Sequence, residues 1–286
     1  MLAGIDGATV HDWCRRIEAD GYDSIGFGER IAYHNLELFS VLATAAALTE
    51  RVRIMSTVVV LPMHSEVWVA KQSATMHVLS DGRYTLGVGV GGRSGDYRAL
   101  GRDDGRRFER LDRQVDRIRS VWAGEGVDTG DDESSAVGPR PALGAIPILS
   151  AAMGPRSMQR SARWADGIAG FELDPSTEAL AGTRDRVDRA WEEAGREEAP
   201  YRMTSFWFGL GEDGPARLHA YAADYLAVFG APIAVAMADL CTASSADAVR
   251  AALDHAEEVG FDEIQLVPTT TDLAELDRLA EVIDRR

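Results

Sequence analysis

The chain has 286 residues, 45% of them hydrophobic and 27% charged, and 30 Lys and Arg against 46 Asp and Glu leave a formal charge of −16. That apolar fraction with only 10 prolines excludes a disordered or fibrous chain, and the length suits one α/β barrel or two smaller domains. The acid excess opposes phosphate-driven binding of nucleic acid and a polybasic membrane anchor, which leaves a protein that handles small molecules.

A short apolar run at residues 2–5 opens the chain, and Val10, Trp13, Cys14 and Ile17 then recur at helical spacing. Runs of strand character follow at Ser24–Phe27, 53–60, 84–88, 146–149, 167–170, 202–208 and 263–267, with helical patterns such as 36–48 and 67–79 between them. Eight strands, each followed by a helix, predict a (β/α)8 TIM barrel over residues 1–286 as one domain, with a weak or truncated first strand. An open doubly wound sheet is the alternative architecture. Residues 123–145 break the alternation with Gly, Pro and the acidic run Asp131-Asp132-Glu133, and read as a surface excursion or a lid.

Cys14 and Cys241 lie far apart without partners at metal-ligand spacing, so neither a disulfide nor a zinc site is expected, and the cytoplasm is the expected compartment. No run of about 18 apolar residues and no basic start before an apolar stretch is present, so no membrane span or signal peptide is expected. Lys71 is the one lysine, which removes most Schiff-base chemistry from consideration. The Arg-over-Lys, Ala-rich composition points to a bacterial source.

Gly87-Val88-Gly89-Val90-Gly91-Gly92 satisfies G-x-G-x-x-G, but the next helix is expected only near Gly105, so a dinucleotide fingerprint does not fit. These glycines leave bare backbone at the C-terminal end of the fourth strand, where a flat ring can approach or where the strand must simply stay slim. Met153-Gly154-Pro155-Arg156-Ser157 follows the fifth strand and opens a helix, an arrangement suited to a phosphate as well as to ordinary capping. Glu29 and Arg30 end the second strand, where a catalytic role and a rim salt bridge are both open. His34 and His64 lie beyond the second and third strands, His77 and His219 in helices, and none is assigned as a ligand. No metal-binding, Walker or serine-nucleophile motif occurs, and no metal is expected.

Several stretches in order resemble the bacterial luciferase-like monooxygenase family, which includes FMN-dependent enzymes and relatives that use the deazaflavin F420. They are Thr44-Ala45-Ala46-Ala47-Leu48-Thr49-Glu50-Arg51-Val52-Arg53, Val60-Leu61-Pro62, Ala70-Lys71-Gln72-Ser73-Ala74-Thr75 and Leu79-Ser80-Asp81-Gly82-Arg83 running into the glycines. They resume at Gly138-Pro139-Arg140-Pro141, Gly154-Pro155 and Ala162-Arg163-Trp164-Ala165-Asp166-Gly167. The resemblance implies a barrel with the cofactor ring at its C-terminal mouth. Carried over by position, Thr57, Val58 and Val59 border the ring, where many F420-using relatives have a non-prolyl cis peptide; Val90 and Gly91 face it; and Met153, Gly154, Arg156 and Ser157 hold the phosphate end. Relatives with an acid–histidine pair after the second strand match at Glu29 but have histidine where this chain has Arg30, and a sugar-phosphate dehydrogenase branch has glutamate in place of Gly92.

The function so implied is oxygen insertion into a small organic substrate with reduced FMN from a separate reductase, Glu29 and Arg30 being the catalytic candidates. Hydride transfer with F420, a flavin-binding protein without catalysis, and an unrelated barrel enzyme such as an aldolase or hydrolase are the alternatives. A homodimer through the helices after strands one to three is expected, with Ala43, Ala45, Ala46, Ala47, Val67, Val69 and Ala70 as smooth surface.

Overall fold

The computed structural model describes residues 5–130, 135–142 and 144–284. Residues 2–4 of the first strand run, the acidic run Asp131-Asp132-Glu133 and Leu143 lie outside that range. The described residues fall into two compact units, one of residues 5–152 with 160–166, the other of residues 153–159 with 167–284.

In the first unit, α1 (Gly7–Ala19) starts where Asp6 accepts a hydrogen bond from the Thr9 N–H at 2.8 Å, and it buries Val10 and Cys14. Strand β1 (Ser24–Phe27) pairs in parallel with β2 (Arg53–Ser56), and β2 pairs in parallel with β4 (Tyr84–Gly89). The predicted third strand is interrupted. A cis Thr57–Val58 peptide separates β2 from β3 (Val59–Val60), and β3 pairs with β4 through Val59–Val88 and Val60–Gly89. Strand β5 (Ile148–Ser150) lies parallel on the other side of β4.

Helices α2 (Leu38–Leu48), α3 (Glu66–Leu79) and α5 (Arg107–Trp122) follow β1, β3 and β4. α5 shows why its sequence is helical: Leu111, Val115, Ile118, Val121 and Trp122 form a buried stripe while Glu109, Arg113 and Asp116 are exposed. The motif ending at Arg83 is a structural clasp. Asp81 and Gly82 take positive φ, and the Arg83 guanidinium donates to the carbonyls of Ala46, Thr49 and Val52, closing the end of α2 onto the sheet. A short helix, α4 (Ser94–Ala99), occupies a segment in which the sequence reading places no helix.

The loop after β5 leads into α6 (Pro155–Ser161). In the second unit, β6 (Gly167–Ala169), β7 (Tyr201–Phe208) and β8 (Glu263–Pro268) are parallel and joined through β7. Helices α7 (Thr177–Glu193) and α10 (Ala246–Val259) cover one face, where Leu180, Ala256 and Val259 pack against Ile264. Between β7 and α10 the chain inserts a hairpin of α8 (Gly214–Leu226) and α9 (Ala231–Ala238), and α11 (Ala274–Asp284) follows β8. Val267 is three residues from Ile264 and so points to the opposite face, where it meets Trp207 beneath that hairpin.

Candidate active site

The C-terminal ends of β1, β3 and β4 bring most of the expected ring-side residues together. Glu29 is two residues past β1 and its side chain is 6% exposed. One carboxylate oxygen accepts the Val60 N–H at 2.7 Å, and the other is 2.8 Å from Nε2 of His64. A buried carboxylate requires such partners, and these two are supplied by residues just past the cis peptide. The His64 carbonyl accepts from Gln114 of α5 at 2.9 Å, while Arg102 and Arg110 donate to the neighbouring carbonyls of Met63 and Pro62. His64 is thus held from both its ring and its backbone.

The glycine run is explained by what stands beside it. A Cβ on Gly87 would lie 2.1 Å from the Ser56 carbonyl oxygen, one on Gly89 would lie 2.9 Å from a Val58 methyl, and one on Gly91, where φ is +60°, would lie 2.8 Å from a Val60 methyl. These three glycines admit the neighbouring strand. Gly92 has nothing within 4 Å of its Cβ position, so only there does the missing side chain open onto free space. Beneath them the Ser56 hydroxyl donates to the Gly87 carbonyl and accepts the Gly87 N–H, and the buried Tyr84 hydroxyl lies 3.3 Å from it. Burial raises the Tyr84 pKa well above that of a free phenol.

Arg30 turns away from Glu29. Its Nε donates to Asp96 of α4 at 2.6 Å, with the two side chains 10% and 6% exposed, and its guanidinium lies 4.7 Å from the Tyr33 ring centroid. Burial alone would raise the Asp96 pKa, but the Arg30 hydrogen bond, the Ala32 N–H and the guanidinium charge outweigh it and hold the carboxyl below its ordinary value. The next residue, Tyr97, donates its hydroxyl to the Val90 carbonyl at 2.6 Å, and burial pushes its pKa up to about 12. Sequence reasoning assigned no role to His64, Asp96 or Tyr97. His64 lies four residues past β3, on the side of the sheet where barrel sites collect; Asp96 and Tyr97 carry no periodic signal.

The expected phosphate residues lie together in the second unit. The Ser157 hydroxyl donates to the Gly154 carbonyl at 2.8 Å and accepts the Gly154 N–H at 3.1 Å. Met153 and Arg156 are exposed, and Arg156 has no hydrogen bond or ion pair among the described residues. No cluster of His, Cys, Asp and Glu suited to a metal occurs among the described residues, and none of the described helices is long and apolar enough to cross a membrane.

A family model described as luciferase-like monooxygenase matches residues 3–239. The chain belongs to that family, whose members are oxidoreductases. Among curated relatives, a pyrimidine monooxygenase, RutA, of Yersinia enterocolitica is 31% identical over 188 residues, 62% of this chain and 51% of that protein. The RutA of Acinetobacter baylyi is 31% identical over 189 residues, 62% and 50%. The aligned region thus spans about half the length of these relatives. Among solved structures, an F420-dependent secondary alcohol dehydrogenase superposes with a TM-score of 0.78 at 16% identity, covering 96% of this chain and 93% of that one. Monooxygenase RslO1 from Streptomyces bottropensis gives 0.74 at 22% identity, covering 97% and 91%. The oxygenating constituent of a 3,6-diketocamphane monooxygenase from Pseudomonas putida, solved with FMN, gives 0.71 at 15%, covering 99% and 94%. These likenesses show the fold, the (β/α)8 barrel of luciferase-like enzymes.

Proposed function

We propose that the chain is a flavin-dependent monooxygenase that takes reduced FMN from a separate reductase and transfers one atom of oxygen to a small organic substrate. The observation that carries this reading is the meeting, within one unit, of residues 57–60, the Val90–Gly91 turn and the Glu29–His64 pair. A slim ledge of backbone and valine methyls fits a flat ring, and Gly92 leaves its edge open. The loop at Met153, Gly154, Arg156 and Ser157 fits a terminal phosphate, because first-turn N–H groups and an uncommitted guanidinium stand together there.

When bound, reduced flavin supplies the electrons that activate oxygen. The chain supplies position and proton control. Glu29 orients the His64 imidazole and accepts its Nε2 proton, so the pair is able to hold or release one proton beside the ledge. Tyr97 fixes the Val90 carbonyl, and Arg30 acts as a positioning residue that locks the loop after β1 onto α4 through Asp96.

Titration of the protein with FMN and with F420, read by absorbance, tests the proposal. Saturable FMN binding that weakens on the order of tenfold in Arg156→Ala is expected, the scale of one charge-assisted contact. Binding of F420 instead of FMN would turn the reading to hydride transfer, and binding of neither would overturn it.

A further inference from the structure

We infer that Arg30 has a second duty, to hold a carbonyl oxygen of the organic substrate, and that the substrate is accordingly an uncharged carbonyl compound such as a ketone or a lactam. This rests on the monooxygenase reading above and names a chemical group that its substrate carries. All the residues concerned belong to the first unit. Arg30 stands three residues past β1, and the residues on both sides of it reach Val60 beside the glycine ledge: Glu29 accepts the Val60 N–H, and Ile31 packs against Val60, Met63 and Tyr97. Tyr97 in turn holds the Val90 carbonyl. The Arg30 loop is thus tied to the same end of the sheet as the proposed ring-side residues, where the functional groups of barrels collect.

The hydrogen bonding of Arg30 within the protein is incomplete. A guanidinium has five N–H donors, and pairs of arginine with a carboxylate frequently use two of them in parallel. Here only Nε is engaged, with Oδ2 of Asp96 at 2.6 Å, while Oδ1 of the same carboxylate takes the Ala32 N–H at 3.2 Å and is committed to the backbone. The Tyr33 ring stands 4.7 Å from the guanidinium carbon and covers a face of the group, not its Nη edge. Nη1 is buried with no hydrogen-bond partner among the described residues, in a side chain only 10% exposed. Tying a loop to a helix requires no spare buried donors, and their desolvation carries a cost that a ligand oxygen removes.

The charge of the pair selects the acceptor. Asp96 is held below its ordinary pKa, so it is ionised at neutral pH and already balances the guanidinium. Glu29, the preceding residue, is a second buried carboxyl group. A carboxylate ligand on Arg30 would meet the Asp96 charge at close range in a poorly solvated place, whereas a carbonyl oxygen accepts the same N–H groups without adding charge. An analogue that lacks the oxygen leaves the donors unpaired and is rejected for that reason.

The test is calorimetric titration of the intact protein with cyclohexanone, valerolactam, cyclohexanecarboxylate and methylenecyclohexane, the last of which lacks the oxygen. The two carbonyl compounds should bind about tenfold more tightly than the other two, or better. Arg30→Met/Asp96→Asn removes the pair as a unit and should abolish that preference. Asp96→Asn alone breaks the tie but keeps the guanidinium, so it should retain carbonyl binding and strengthen the carboxylate on the order of tenfold. Infrared spectra of carbon-13-labelled cyclohexanone give a second readout, since its C=O stretch should fall on binding to the wild type and to Asp96→Asn but not to the double variant. Binding of neither carbonyl compound to the wild type, equal binding of methylenecyclohexane, or equal loss of carbonyl binding in Asp96→Asn and the double variant would overturn the inference, the last by leaving the pair a structural tie alone. FMN is titrated into the same samples. Intact FMN binding without a carbonyl preference counts against this inference alone, and carbonyl binding without FMN binding counts against the cofactor reading alone. A tenfold loss of FMN affinity in the double variant with cyclohexanone unmoved would assign the guanidinium to the cofactor's carbonyl groups and overturn the substrate assignment.

Discussion

Glu29 and Arg30 are neighbours in the sequence with different duties in the fold. Their position at a strand end was legible; their partners were not, because His64 and Asp96 lie 35 and 66 residues further along the chain. Neither is a rim charge. Arg30→Ala strands the buried Asp96 carboxylate and should cost about 3–5 kcal/mol of stability, as removal of one partner from a buried pair does. Chemical denaturation measures this directly. The pair also sets a pH dependence. A carboxyl whose folded pKa is depressed stabilises the fold above its unfolded value, and that stabilisation is lost as pH falls through the folded value. Below about pH 4, the wild-type protein should therefore lose stability more steeply than Asp96→Asn; parallel curves for the two proteins would remove Asp96 from the acid response.

At the scale of elements, strands β4, β7 and β8 were legible because β-branched and apolar runs there are long and bounded by turns. The break between β2 and β3 was not, since residues 53–60 read as one uninterrupted run. Helix α4 escaped for a different reason: its anchors, Tyr97 on the Val90 carbonyl and Asp96 on Arg30, are tertiary and leave no local period. The glycine run was legible as a place without side chains, and the slim-strand use weighed for it is the one that the neighbouring contacts explain. Gly87, Gly89 and Gly91 admit adjacent backbone and valines, and Gly92 faces open space. Gly87→Ala should accordingly abolish folding or cost at least about 3 kcal/mol, because its Cβ meets backbone rather than a flexible side chain. Gly92→Ala should change stability by no more than about 0.5 kcal/mol. Thermal melts of the two variants check the contrast, and equal losses would contradict it.

For the whole molecule, family membership was legible from motifs whose work proves to be partly structural: Arg83 ties α2 to the sheet, and the N–H groups of Arg51 and Val52 bond to Glu18. The proposed homodimer concerns surface rather than fold. Ala45, Ala46, Val69 and Ala70 are buried within their own unit, while Trp68, Val78 and Leu79 of α3 are exposed. A dimer centred on α2 and α3 should bury well over about 1,000 Å². Trp68→Asp should then shift light scattering from a two-chain particle to a single chain, and a wild-type monomer would refute the association. The central claim, that this chain spends reduced flavin and oxygen on an organic substrate, is tested most directly with heavy-isotope oxygen gas. The protein is loaded anaerobically with reduced FMN, mixed with the labelled gas and a panel of small ring compounds, and the products are weighed. The account expects a product carrying one labelled oxygen atom from the gas and none from labelled water; reduction of F420 by a substrate without any need for oxygen would contradict it.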